Sequence, residues 1–229
     1  MLIAIEGIDG AGKHTQSELL KVKAQELGLS AEILSFPRYG KTLFAKSIAD
    51  YLNGELGELS SVSPQLAALL YAGDRFESLA LIKQLARTHD LLIFDRYVAS
   101  NLAYQAAKLS YDKQQEIISW LAQIEYEIFG LPKADLTIYL DITPSLASEL
   151  LYKKKPRNYT EKVADIHEEN TGYLARCREV YQMLAGMNLG SEWLTIQSVS
   201  SNGSIRPLAE IHEDIWRAVN KASPHYLGK

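Results

Sequence analysis

Leu2, Ile3, Ala4 and Ile5 make an apolar run of the length a buried strand needs, and it opens directly into Glu6-Gly7-Ile8-Asp9-Gly10-Ala11-Gly12-Lys13-His14-Thr15. A helical pattern follows from about His14 to Leu27 and stops at Gly28. Strand, glycine loop and helix in that order constrain the fold more than any other stretch of the chain. Glycine at 7, 10 and 12 lets the backbone wrap closely round a polyphosphate, so that successive N–H groups and the helix N-terminus point at the anion. Lys13 then reaches the transferred phosphate as a mobile point charge. The pattern G-x-x-x-x-G-K-[ST] is met from Gly7 to Lys13 and fails at its last position, where His14 stands with Thr15 beyond it. The hydroxyl that ordinarily touches Mg²⁺ is therefore missing, or comes from Thr15 in an altered geometry. The plainer alternative is a glycine-rich turn that merely joins a strand to a helix; the presence of all three parts weighs against it.

The remaining chain alternates the two periods. Ala31 to Phe36 reads as a second strand stopped by Pro37, and Arg38-Tyr39-Gly40 as a loop at its C-terminal end, where open α/β sheets place ligands. Thr42 to Leu52 reads as a helix. Pro64 suits the first turn of a long helix running to about Arg87. Asp90 to Phe94 is an almost wholly apolar third strand, which delivers Asp95-Arg96-Tyr97 to the same sheet edge as the glycine loop. Val98 to Phe129 is helical with a break at Ser110, Leu136 to Leu140 is a fourth strand, Glu161 to Met183 a long helix, Trp193 to Ile196 a fifth strand, and Ile205 to Val219 a final helix. Five short apolar strands separated by helices imply a parallel sheet covered on both faces, an α/β three-layer sandwich of the P-loop NTPase type. No linker or repeat divides the chain, so residues 1–229 are expected to form one domain, with a mobile lid at about 150–162.

Composition removes several classes of function. A formal charge of −4 argues against broad nucleic-acid binding, so any basic site must be local. The single cysteine, Cys177, excludes an internal disulfide and suits a reducing compartment; on a helix with no activating base beside it, it reads as a core residue. No apolar run approaches a membrane span, and the N-terminal stretch reads as a strand and not as a signal peptide, so the expected location is cytoplasmic.

Phosphoryl transfer asks for positioned phosphates, a metal and cations where negative charge accumulates, and the chain supplies these in separate places. Lys13 is in the glycine loop, Arg96 follows a buried strand, and Lys153, Lys154, Lys155 and Arg157 lie in an irregular segment able to close over a site. Asp95 stands where a metal-orienting carboxylate stands in such folds, and Asp9 is a second anionic group near the metal. On position alone, Asp95-Arg96 also fits a surface ion pair, and the lysine run fits a solvated face.

Glu6-Gly7-Ile8-Asp9-Gly10-Ala11-Gly12-Lys13, Phe36-Pro37-Arg38-Tyr39, Asp74-Arg75, Asp95-Arg96-Tyr97-Val98-Ala99-Ser100-Asn101 and Gly130-Leu131-Pro132-Lys133-Ala134-Asp135 together resemble the thymidylate kinase family, with its actinobacterial members the most similar. The resemblance runs from residue 1 to about Tyr181. It implies transfer of a phosphoryl group from ATP to dTMP with Mg²⁺, by a homodimer. It further implies that Gly7, Ile8, Asp9, Gly10, Ala11, Gly12, Lys13, His14 and Thr15 bind the ATP phosphates, and that Arg96 and Tyr39 meet the dTMP phosphate with Asp9 in support. By the same resemblance, Phe36 and Arg38 would belong to the dTMP site. Arg75 and Asn101 would hydrogen-bond the thymine edge, Tyr71 would stack on the ring, and Tyr104 would pack beneath the sugar. From the residues alone, Tyr71, Asn101 and Tyr104 equally suit ordinary helix packing.

Some members of that family carry a basic residue at the position of Gly10 and others rely on a basic lid; glycine here resembles the second kind, which makes Lys153, Lys154, Lys155 and Arg157 the candidates for charge stabilisation. Asp165-Ile166-His167-Glu168 resembles the family's Asp-x-x-Glu opening of the helix after the lid, with Asp9 and Glu168 the candidate metal ligands and His167 a packing or solvated residue. The rival readings are a different nucleotide kinase and a GTPase-type switch; no Asn-Lys-x-Asp guanine-reading run supports the latter. Either long helical stretch, 64–87 or 111–129, offers a face for a dimer.

Overall fold

The computed structural model describes residues 1–57, 61–152, 171–187 and 189–222. Its sheet has five strands, β1 (Leu2–Glu6), β2 (Ala31–Ser35), β3 (Leu91–Asp95), β4 (Leu136–Asp141) and β5 (Glu192–Gln197), in the order β2-β3-β1-β4-β5 with every neighbouring pair parallel. Parallel strands covered on both sides must be apolar throughout: Ile3, Ile5, Ile93, Phe94 and Ile138 are fully buried. The register matters for function. Ile5 pairs with Asp95, Ser35 also pairs with Asp95, and Glu6 pairs with Tyr139, so Gly7, Phe36-Pro37 and Arg96 all leave the sheet at one edge.

The helices are α1 (Lys13–Glu26), α2 (Leu43–Leu52), α3 (Pro64–Glu77), α4 (Leu79–Thr88), α5 (Val98–Ala106), α6 (Tyr111–Ala122), α7 (Pro144–Tyr152), α8 (Thr171–Ala185) and α9 (Leu208–Ala222), with a π-helical turn at Gln123–Ile128. Helices α1 and α9 pack on each other and on the sheet, and α8 packs on β4 and β5 with α5 against it. A smaller cluster of Ile48, Tyr51, Leu52 and Ala67 joins α2 to α3. Among the described residues no helix is long and apolar enough to cross a membrane.

Two boundaries differ from the sequence expectation for identifiable reasons, and a third lies partly outside the described residues. The helix expected from Pro64 to Arg87 is two helices, broken at Ser78. There the Oγ donates back to Asp74 O at 2.8 Å and the backbone N is shared between Asp74 O and Arg75 O, the local side-chain competition that bends helices. The last helix begins at Leu208 and not at Ile205, because Ile205 bridges to Val199 and Pro207 disfavours helical geometry in the residue before it. The helix expected over Glu161 to Met183 is described from Thr171, and it continues to Ala185.

Candidate active site

The glycine loop is shaped by close approach. A Cβ on Gly7 would lie 2.8 Å from Leu140 O, and one on Gly10 would lie 2.2 Å from Ala147 O in α7. Any side chain at position 10 would therefore have to displace α7, so the absence of a basic residue at that position has a steric cause. Gly12 takes φ of 87° at the entry to α1. Lys13 folds back inside the loop, its Nζ donating to Gly7 O at 3.0 Å and Ile8 O at 2.8 Å. Burial, aided by the nearby Arg96 charge, pushes the Lys13 ammonium down to about 7 against the pull of Asp9, Asp95 and Glu6.

Arg96 arrives from the end of β3 with φ of 68°, a left-handed conformation that L side chains avoid and that is concentrated at functional sites. One guanidinium nitrogen forms an ion pair with Asp9 Oδ1, and the other lies 3.3 Å from Ser100 Oγ and 3.5 Å from Gly7 O. Lys13, opening α1, and Arg96, just past β3, thus meet at the same carbonyl. Burial opposes the Arg96 charge, but Asp9, Tyr104, Tyr181 and Asp95 together outweigh it and keep the guanidinium protonated. Tyr104 completes the cluster: its hydroxyl donates to Asp9 Oδ2 at 2.7 Å, and its ring lies under the Arg96 guanidinium at 5.3 Å.

His14, in the place of the expected hydroxyl residue, puts Nδ1 3.1 Å from Asp95 Oδ2. Burial would raise the Asp95 carboxyl, yet the His14 hydrogen bond and the Lys13 and Arg96 charges hold it below the usual carboxylate range. Thr15 is half-buried in the first turn of α1, while Ile8 and Ala11 are buried and belong to the core.

A second group lies further along α5. Arg75 and Glu125 form a buried bidentate pair at 2.5 and 2.6 Å, and Asn101 Nδ2 donates to Glu125 Oε1 at 2.8 Å. Phe36 is buried beneath the Arg75 guanidinium, 5.9 Å from ring centre to Cζ, and packs against Phe94 and Tyr97. Tyr39 and Tyr71 pack on the α2–α3 cluster. Arg38 turns its side chain to Ser78 Oγ at 3.1 Å and donates its backbone N–H to Asp74 Oδ2 at 2.9 Å. Lys153, Lys154, Lys155, Arg157 and Glu168 lie outside the described residues.

Three carboxylates that sequence reasoning left without a role organise these groups. Glu6, fully buried, accepts from Tyr97 N, Ser100 N, Ser100 Oγ and Tyr181 OH at 2.6–3.2 Å; it caps the N-terminus of α5 and ties it to β1 and α8. Asp74 accepts from Thr42 Oγ1 at 2.6 Å as well as from Arg38 N, holding the loop after β2 against α3; burial leaves its carboxyl raised despite those bonds. Glu125 has already been met beside Arg75. A charged residue ending an otherwise apolar strand was the available signal for Glu6; Asp74 and Glu125 lie in helices where acidic residues are commonplace.

A glycine loop between a parallel strand and a helix, with Lys13 and Arg96 brought to one carbonyl at its mouth on the edge of a sheet in this strand order, has the form of a P-loop phosphotransferase. A solved structure of thymidylate kinase from Candida albicans shares the fold, with a TM-score of 0.71 at 24% identity over 96% of this chain and 92% of that one. By sequence, residues 5–206 match the family profile described as thymidylate kinase. Thymidylate kinase from Mycobacterium tuberculosis is 39% identical over 196 residues, 86% of this chain and 91% of that protein, and the one from Chlorobaculum tepidum is 34% identical over 193 residues, 82% and 85%. The chain belongs to the thymidylate kinase family.

Proposed function

We propose that this chain transfers the γ-phosphoryl group of ATP to the phosphate of dTMP by direct in-line attack, as a cytoplasmic homodimer built from single-domain subunits. An acceptor phosphate oxygen is already anionic, so the protein needs no general base and no covalent intermediate; its work is positioning and charge stabilisation. The observation that carries the reading is the meeting of Lys13 and Arg96 at Gly7 O. Lys13 serves the donor phosphates held by the glycine loop, Arg96 the acceptor phosphate, and the transferred group passes between them.

Asp9 orients Arg96, and Tyr104 fixes Asp9. Arg75 and Asn101 read the pyrimidine edge, Tyr71 and Phe36 shape the base pocket, and Tyr39 and Arg38 close it from the loop after β2. Lys153, Lys154, Lys155 and Arg157 belong to the lid in this reading. The donor set suits Mg²⁺. Carboxylate oxygens of Asp9 and Asp95 stand at the loop, and a hard cation that keeps its waters and takes phosphate oxygens needs only one or two such ligands, with Glu168 as a further one. Bound there, the ion would neutralise charge on the donor phosphates.

A coupled ADP-release assay with ATP and Mg²⁺ tests the assignment, offering dTMP, dUMP, UMP, dCMP, GMP and thymidine separately. The expected result is a preference for dTMP, with kcat/KM lowered about 10²–10³-fold in Arg96→Ala. ADP formation that ignores the acceptor, or that prefers another nucleotide, would overturn it.

A further inference from the structure

Glu125 is fully buried, whereas Glu127, two residues on, is exposed. Both residues lie in the π-helical turn, where Phe129 N reaches back to Ile124 O at 2.8 Å and Leu131 N to Glu125 O at 3.0 Å. Such turns inside helices recur at functional sites because they re-aim a side chain. Here the side chain enters the space between α3 and α5. Its Oε2 accepts from Arg75 Nε at 2.5 Å, and its Oε1 accepts from Arg75 Nη2 at 2.6 Å and Asn101 Nδ2 at 2.8 Å. Ala68 O accepts from the same Asn101 nitrogen at 3.0 Å.

Both partners of Asn101 Nδ2 are pure acceptors, so the amide has one favourable orientation, with nitrogen towards Glu125 and Ala68. Its Oδ1 is then left buried with no hydrogen-bond partner among the described residues. A buried acceptor of that kind calls for a donor. Arg75, with Nε and Nη2 engaged by the carboxylate, keeps Nη1 outside the pair as a donor. One carboxylate therefore fixes a donor on one side chain and an acceptor on the next.

We propose that Glu125 is a positioning residue that sets the polarity with which the pyrimidine edge is read, holding Arg75 as donor and Asn101 as acceptor in one rigid unit. This rests on the assignment of Arg75 and Asn101 to the base. A ring with a carbonyl at position 4 and an N–H at position 3 matches that unit. A ring with an amino group at position 4 and a bare nitrogen at position 3 sets donor against donor and acceptor against acceptor, the mismatch that buried polar sites reject most strongly.

The test compares wild type, Glu125→Gln and Asn101→Ala on dTMP, dUMP and 5-methyl-dCMP, which separate the ring edge from the methyl group. In Glu125→Gln the dTMP to 5-methyl-dCMP ratio of kcat/KM should fall at least about tenfold, while the dTMP to dUMP ratio stays within about twofold. Loss of activity by the same factor on all three nucleotides would reduce Glu125 to a structural role and overturn the proposal. If Asn101→Ala collapses the edge ratio and Glu125→Gln does not, Asn101 reads the base without Glu125 and the proposal again fails. If neither variant moves the ratio, the assignment of the base site is what fails. Should Glu125→Gln not fold, NMR of the wild-type protein decides. The Asn101 side-chain amide protons should be protected from exchange without nucleotide and keep their shifts when dTMP is added; rapid exchange or large shifts would overturn the proposal.

Discussion

Lys13 shows how burial and function oppose each other at one residue. Folded back on the loop carbonyls and pushed down to about 7, it is largely neutral above that pH in the protein alone. A polyphosphate brought to the loop stabilises the ammonium form and raises its pKa, so binding must take up a proton. At pH 8, where ATP itself is fully deprotonated, calorimetry in two buffers of different ionisation enthalpy should report uptake approaching one proton per ATP bound. The sign follows from linkage: a ligand that raises a pKa binds less tightly as pH climbs past the value in the unliganded protein, here by up to about tenfold per unit above 7. Lys13→Arg, permanently charged, should show neither the uptake nor the pH dependence. Equal proton uptake in wild type and variant would mean that Lys13 is already charged before ATP arrives.

Among the elements, α7 has a place in the site that no pattern in the sequence discloses. Its Ala147 carbonyl closes the space above Gly10, whereas a Cβ on Gly12 would meet nothing within 4 Å. The two glycines therefore predict different costs. Gly12→Ala carries only the strain of a positive φ, about 1 kcal/mol, while Gly10→Ala adds a backbone collision that must move α7. Thermal unfolding should rank Gly10→Ala well below Gly12→Ala, and comparable melting temperatures would mean that α7 yields without cost. The same limit governs what was legible elsewhere. The five strands and the break before Tyr111 followed from local signals: apolar runs, glycine, proline and serine at the boundaries. The break at Ser78 did not, because Leu79, Ile82 and Leu85 carry the helical period straight through it while the bend depends on a serine hydroxyl turned to its own backbone. Likewise Lys13 and Arg96 were legible from the motif and the strand end that carry them. Glu125 was not, since its buried place rests on two partners 24 and 50 residues away.

In the whole molecule, the parallel register gathers the glycine loop, the loop after β2 and Arg96 at one sheet edge, which leaves the outer faces of the helices for association. Periodicity cannot separate an interface from a core, because both demand an apolar stripe; exposure can. On α3 the inner positions Ala67, Ala68 and Ala72 are fully buried, yet Leu66 is 63% exposed and Phe76 49% exposed, with Leu69 half-buried between them on the same stripe. Large apolar side chains aligned on one helix face mark a surface for a partner, and a second copy of this chain fits the proposed dimer. Light scattering should then give a mass near twice 25.6 kDa for the wild-type chain. Leu66→Glu, which places a charge in the middle of that stripe, should shift the equilibrium towards monomer. Val22→Glu, at a similarly exposed position on α1, should leave the mass unchanged. A wild-type mass of one chain would remove the dimer from the proposal. A dimer indifferent to Leu66→Glu would move the interface to another face, with the stretch 111–129 next in line.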